Sequence, residues 1–395
     1  MKVLNRFSRI TTPGRAYIPQ IDGLRFVAIL AVLAFHVQAI CLYHLGVTSQ
    51  KGAVPTDGIY KLFEAGHFGV QLFFTISGFV LAIPFVTEKL CGGSRVSWPA
   101  YYLRRVTRLE PPYIIHLILV FILIGFVLRK QPAHSDLYQN PAWAIHALKH
   151  LLPSLFYSHG FVYAEYPYPN IVLWSLEVEV QFYVLAPFLS YVFLVPKKQW
   201  RRGLLVMLII AASVLSQVLG DQILHHVMLL GELQFFLGGF LFADIYLTDK
   251  LAVPARSTIW SMIWDALFLL AVAGVALIHN FPQPALLLPW LMFVVCLAAF
   301  KGRICSIVFG NPLITAIGGM CYTIYMYHWL MISGVIRLTK GLQTHLIWWD
   351  LMVQLVLISL IILPICALLF VLFERPFMRK DWPGKLWAAL TRHNA

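Results

Sequence analysis

Charge is what this sequence has least of. Only 12% of its 395 residues are Asp, Glu, Lys or Arg, about half the share found in ordinary soluble proteins. With 60% of the chain hydrophobic and a mean hydropathy of +0.77, a water-soluble surface cannot be built. Acid is scarcer than base, 17 residues against 30, for a net charge of +13. That excess does not indicate a nucleic-acid partner, because the basic residues sit in short clusters between apolar runs, where membrane topology accounts for them. Cysteine is sparse too. Cys41, Cys91, Cys296, Cys305, Cys321 and Cys366 show no CxxC spacing and fall mostly in or beside apolar segments, as expected for membrane packing rather than metal ligation. There is no inverted internal repeat of the kind that marks many transporters, no low-complexity linker and no leader-like start.

What the chain has in abundance is apolar runs of about 20 residues, each long enough to cross a hydrocarbon core about 30 Å thick. They are too long and too uniformly apolar for barrel strands, which alternate polar and apolar residues. Ten spans are expected, near 24–44, 66–87, 110–128, 172–195, 203–219, 227–247, 259–279, 284–300, 313–336 and 350–373. The expected fold class is therefore all-α, a polytopic transmembrane helix bundle in one domain over residues 1–395. An even count puts both termini on one side. With that side cytoplasmic, 22 lysines and arginines fall inside and seven outside, which predicts both termini in the cytoplasm. Two outer segments exceed connector length, about 45–65 and about 129–171. The second carries His134, the stretch from Trp143 to His150 and a Tyr/Pro-rich tract from Tyr163. It reads either as a re-entrant lid suited to a polar acceptor or as an aromatic interfacial anchor.

Several residues in the spans bear chemistry. Arg25 and His36 are eleven residues apart, so on one helix they share a face and lie about 16 Å apart along the axis. The guanidinium is then expected at the cytoplasmic interface and the imidazole near mid-membrane, where an ionisable group is costly. Its alternative is a histidine satisfied by a neighbouring carbonyl. Gly66-His-Phe-Gly69 and Ser77-Gly78 offer close helix approach, with Ser77 able to bond across the contact. Arg105 and Arg108, spaced i and i+3, face one way at the cytoplasmic mouth. Guanidinium forks suit phosphate, against the plainer reading of positive-inside bias. Glu177 and Glu179 lie on different helix faces, so they do not form an acid/base pair with each other. His328 sits within another apolar span, and Glu374–Arg375 reads as a structural cap at the cytoplasmic face.

Taken in order, IPQIDGLR ending at Arg25, the GVQLFFTISGF run through Phe79, the RRVTR stretch ending at Arg108, WSLEVEVQFY ending at Tyr183 and the late YTIYMYH ending at His328 resemble the acyltransferase family 3 membrane proteins. These O-acylate bacterial polysaccharides, peptidoglycan, lipids and some antibiotics. Gln71, where the family often has an acid, and Glu110, where an apolar residue is common, are departures. The resemblance implies His36 as catalytic histidine, with Arg25, Arg105 and Arg108 on the phosphates of an acyl-CoA donor, acetyl-CoA above all. It implies Glu179 as the family glutamate orienting the histidine or the acceptor, and places Ser77 and His328 in the substrate site, with the role of His328 open. No permanently bound cofactor, no metal site, no nucleic-acid partner and no fused SGNH hydrolase-like domain are expected. The expected acceptor is a hydroxyl of a carbohydrate, glycolipid or glycoside, and the expected location is the bacterial cytoplasmic (inner) membrane, among its lipids. Direct transfer and an acyl-enzyme route both stay open. Rival readings are a transporter or flippase of an anionic lipid or sugar, and a different family of membrane-bound O-acyltransferases.

Overall fold

The computed structural model describes residues 17–44, 58–128, 143–167, 170–219, 228–249, 258–278, 283–339, 347–379 and 381–384, with isolated positions between them. Every regular element among the described residues is helical. In chain order these are α1 (Pro19–His44), α2 (Gly58–Glu64), α3 (Gly69–Leu90), α4 (Trp98–Leu128), α5 (Trp143–Leu155), α6 (His159–Tyr163) and α7 (Trp174–Leu189). Then come α8 (Lys198–Leu219), α9 (Leu229–Thr248), α10 (Thr258–Ala276), α11 (Pro284–Lys301), α12 (Arg303–Phe309), α13 (Pro312–Gly319), α14 (Cys321–Leu338) and α15 (Ile347–Leu369). A π-helical turn, Phe370–Glu374, continues α15.

Among the described residues, nine helices are long and apolar enough to cross a membrane. The other expected span, 313–336, is split between α13 and α14 at Met320. Tyr325, Tyr327 and His328 give α14 a run of buried polar side chains. Both outer segments fall partly outside the described residues, as do the stretches 1–9 and 385–395.

The centre of the bundle is the crossing of α3 and α9. Of their apolar windows 67% and 72% are buried, against 11% for α10 at the periphery. Glycine makes the crossing possible. A Cβ at Gly78 would lie 2.2 Å from the Phe236 carbonyl oxygen, and one at Gly239 2.2 Å from that of Thr75. Without solvent-driven burial to hold helices together in lipid, such backbone contact is what supplies the packing. Phe74, Phe182 and Phe236 stack beside it, at ring separations of 4.7 Å and 4.0 Å. Elsewhere α1 passes so close to α13 that a Cβ on Gly318 would meet the Asp22 carbonyl at 1.8 Å.

α4 begins twelve residues before the span expected from residue 110. Pro111 and Pro112 look like a break, yet they lie inside the helix. A proline at i leaves the carbonyl at i−4 without its N–H, and in a membrane that carbonyl needs another donor. The Trp382 indole N–H supplies one to Thr107 O at 3.0 Å. The neighbouring Leu109 O accepts from the Tyr322 hydroxyl at 3.2 Å. The RRVTR stretch is thereby carried on the same rigid helix as the span.

α5 and α6 form a short hairpin against α4 and α7, joined at Tyr157 in left-handed conformation (φ 53°). Leu148, Leu152, Phe156 and Phe161 are exposed on its outer side, while His150, Ser154 and His159 are buried. Tyr113 donates to Ser154 O at 2.8 Å and stacks on Tyr157 at 4.5 Å. Glu177, fully buried, accepts from the Gly160 N–H at 3.0 Å and from the His159 N–H, giving the first backbone donors of α6 the partner that the helix cannot provide.

At the end of α8, Arg201 and Arg202 both bind the fully buried Asp244 of α9, Arg202 at 2.8 Å. Five of the cysteines are buried and unbridged, and Cys91 is exposed just past α3.

Candidate active site

Arg25, Arg105 and Arg108 converge on one cavity of about 110 Å³, walled by α1, α3, α4, α7, α14 and the π-helical turn after α15. Arg25 is held by Asp22, one turn earlier, at 2.6 Å, and the two side chains are only 14% and 5% exposed. The ion pair uses one guanidinium nitrogen, which leaves further donors of the fork for a ligand. Arg105 lies between the rings of Tyr101 and Tyr183, 5.4 Å and 5.7 Å from their centroids. Such stacking holds a guanidinium in place without consuming its N–H donors. Its Nε is buried and has no hydrogen-bond partner among the described residues. The guanidinium donors gathered here suit an anionic occupant.

Two carboxylates share the cavity wall, Glu179 and Glu374. Glu179 accepts a hydrogen bond from the Ser77 hydroxyl, joining α7 to α3, and interacts with the Tyr183 hydroxyl one turn along its own helix. Glu177, two residues earlier, faces the α5–α6 hairpin instead. That divergence follows from the 100° step of a helix. Glu374 accepts from the Thr323 backbone N–H at 3.2 Å and its hydroxyl at 2.5 Å, so the expected cap acts on the start of α14 rather than on its own chain end.

The end of the cavity away from the arginines is closed by Phe73 and Tyr325, whose rings lie 6.1 Å apart. Tyr325 donates to Val172 O at 2.9 Å and pairs with the Ser175 hydroxyl at 2.6 Å. One turn further along α14, His328 is fully buried. Its Nδ1 lies 2.6 Å from Tyr325 O and its Nε2 3.3 Å from His36 Nδ1. His36 Nδ1 is also 2.9 Å from Val32 O. Carbonyl oxygens only accept, so each Nδ1 carries the proton, and each neutral ring keeps a lone pair on Nε2. The His328 lone pair faces His36. That of His36 is free of both carbonyls.

The residues expected to act together thus form two groups. Arg25, Arg105, Arg108, Ser77 and Glu179 line the cavity, whereas His36 and His328 stand as a pair just beyond Tyr325, not in its lining. His36 is half-buried, edge-on to Trp329 at 5.3 Å. Its ring partner is His328; Glu179 is bonded to Ser77. Sequence reasoning passed over Asp22, although it stands one turn before Arg25, and Tyr183, one turn after Glu179. It also passed over His116, which follows Arg105 by the same eleven residues that separate Arg25 and His36. His116 is fully buried and accepts from Asn170 Nδ2 at 3.1 Å, and the same amide donates to Met326 O at 2.9 Å. Gln71 donates to both carboxylate oxygens of Glu232 at 3.3 Å, so a carboxylate does stand beside this position, contributed by α9. Among the described residues no group of three or more His, Cys, Asp or Glu is placed to hold a metal ion.

A family model described as "Acyltransferase domain" matches residues 18–371. The peptidoglycan O-acetyltransferase OatA of Listeria monocytogenes is 31% identical over 220 residues, covering 53% of this chain and 30% of that protein. A candidate O-acetyltransferase of Staphylococcus aureus (strain COL) is 23% identical over 344 residues, covering 81% of this chain and 51% of that protein. A candidate peptidoglycan O-acetyltransferase of Bacillus subtilis is 26% identical over 218 residues, covering 53% and 29% respectively. The chain therefore spans about half or less of the length of these relatives. No solved structure matches it.

Proposed function

Because the chain belongs to the acyltransferase domain family, we propose that it moves an acetyl group from acetyl-CoA to a hydroxyl of a carbohydrate in the bacterial cell envelope. The observation that carries this reading is the nearness of the arginine cavity to the imidazole pair. A cavity that starts at three arginines ends at Tyr325, one helical turn from the paired imidazoles of His36 and His328. In this reading the arginine end and both chain termini face the cytoplasm, the side that the basic loops favour. The diphosphate and 3′-phosphate of coenzyme A rest at Arg25, Arg105 and Arg108. The narrow pantetheine arm lies within the cavity and the bulkier nucleotide stays at its mouth.

The acceptor reaches His36 from the opposite end of the bundle. Its hydroxyl proton passes to His36 Nε2 as its oxygen attacks the thioester carbonyl carbon. The new C–O bond forms, the C–S bond breaks, and the proton goes on to the departing thiolate, releasing free coenzyme A and the acetyl ester. His328, accepting from His36 Nδ1–H, fixes the tautomer that presents Nε2 and stabilises the imidazolium that forms. Glu179 and Ser77 hold α7 against α3 along the thioester's path. Peptidoglycan is the first acceptor to try, since two of the relatives are named for it.

The test is transfer in a defined system. Purified protein in lipid nanodiscs receives radiolabelled acetyl-CoA and peptidoglycan oligosaccharides, and the products are separated. Labelled oligosaccharide, alkali-labile and accompanied by free thiol, is the expected result. Thiol release with no ester on any envelope glycan offered would contradict the acceptor class. Uptake of glycan or lipid into vesicles without covalent product would make the protein a carrier.

A further inference from the structure

One carboxylate in the cavity has no part in the transfer step above. Glu374 is 3% exposed and reaches the cavity wall from the π-helical turn Phe370–Glu374. A π-helical turn holds one residue more than an α-helical turn, so whatever follows is rotated by roughly 100° relative to an unbroken α-helix. That rotation aims Glu374 across the bundle at α14 rather than along the outside of α15. There it meets Thr323, the third residue of α14, at both the backbone N–H (3.2 Å) and the hydroxyl (2.5 Å). The first N–H groups of a helix have no acceptor within it, and a carboxylate at that end is favoured by the helix dipole. Because Glu374 and Thr323 are both buried, bulk water is not at hand to replace it. Thr323 is buried to 2% exposure, so the contact is enclosed. Two residues further along α14 is Tyr325, and three beyond that is His328.

We propose that Glu374 is a positioning residue for acyl transfer: by capping α14 it sets the height and rotation at which Tyr325 closes the cavity and His328 meets His36. The assignment rests on the functional reading given above. It makes Glu374 act on the imidazole pair through α14, although its carboxylate shares a wall with the donor's arginines. The π-helical turn is then a functional part of α15, since a regular helix there would carry the carboxylate away from Thr323.

The experiment compares Glu374→Gln, Thr323→Val, Thr323→Ser and the Glu374→Gln/Thr323→Val double variant with the unaltered protein. Three quantities are measured in nanodiscs: the melting temperature, coenzyme A affinity by calorimetric titration, and turnover with acetyl-CoA and peptidoglycan oligosaccharides. Glu374→Gln is expected to lower kcat tenfold or more while the Kd for coenzyme A stays within threefold. Thr323→Val follows in the same direction, Thr323→Ser keeps normal turnover, and the double variant is no slower than the slower single one, because both changes break the same contact. A Kd that rises in step with the fall in kcat would overturn the assignment, placing Glu374 in donor binding. Normal turnover of Glu374→Gln would overturn it equally. Should Glu374→Gln fail to fold, the Thr323→Val and Thr323→Ser pair decides alone: equal turnover of the two refutes the positioning role. Failure of the unaltered protein to bind coenzyme A is a distinct result, which overturns the donor reading underneath.

Discussion

His36 Nδ1 is committed to the Val32 carbonyl and to His328, so the chemistry falls to its other nitrogen. Replacing the ring removes a general base, an effect of about 10²–10⁴-fold. His36→Ala is expected to lose turnover on that scale while binding coenzyme A normally, a split that steady-state kinetics and calorimetry will read. Equal loss of both would place His36 in donor binding. Arg105→Lys keeps the charge but loses the planar fork and much of the stacking between Tyr101 and Tyr183. Coenzyme A affinity should drop about tenfold or more, the scale of a lost hydrogen bond to a charged group. Unchanged affinity would remove Arg105 from the phosphate site. At this scale the sequence was most informative where a helix period links two residues, as with Arg25 and His36, or Arg105 and Arg108. It was silent on contacts between helices. No period relates Ser77 to Glu179, 102 residues apart, or His36 to His328, 292 residues apart.

The crossing of α3 and α9 shows the same limit on the scale of elements. Gly78 was legible as a small residue, but its meeting with Gly239 of α9 was not. Gly78→Val would force a side chain into the Phe236 backbone. Because backbone cannot yield as a flexible side chain would, the cost should reach or exceed the 1–3 kcal/mol usual for overpacking. A fall in melting temperature and in the yield of folded protein is expected, and an unchanged melting temperature would show that the helices can part there. The expected span began near residue 110, within an apolar run, whereas α4 begins at Trp98 and carries Pro111 and Pro112 inside it. The donors that rescue the helix, Trp382 and Tyr322, come from far along the chain. The α5–α6 hairpin carries a pH dependence. His159, bonded to His150 at 2.8 Å, is held below the ordinary histidine pKa by burial. A lowered folded value means the unfolded segment binds more protons, so the stabilisation is complete above about pH 6.5 and is lost as pH falls below it. Amide exchange across residues 150–163, corrected for its intrinsic rate, should speed up between pH 7 and pH 5.5. Flat protection over that interval would mean the pair does not hold the hairpin.

Across the whole molecule, hydropathy made the bundle legible, and the distribution of Lys and Arg predicts a direction for it. Arg201 and Arg202 are partly neutralised by Asp244 and Asp249, so part of that positive bias also serves to pin α8 to α9. Cys91, exposed between α3 and α4 at the arginine end, offers a direct reading of orientation. A membrane-impermeant maleimide should label it in inverted vesicles and spare it in intact cells; the opposite pattern would reverse the proposed topology. The account as a whole depends on the arginine cavity receiving the donor. Calorimetric titration of coenzyme A into the purified protein, and into its Arg25→Ala, Arg105→Ala and Arg108→Ala variants, tests that most directly. One site is predicted, weakened about tenfold or more by each substitution. No binding, or binding indifferent to all three arginines, would contradict it.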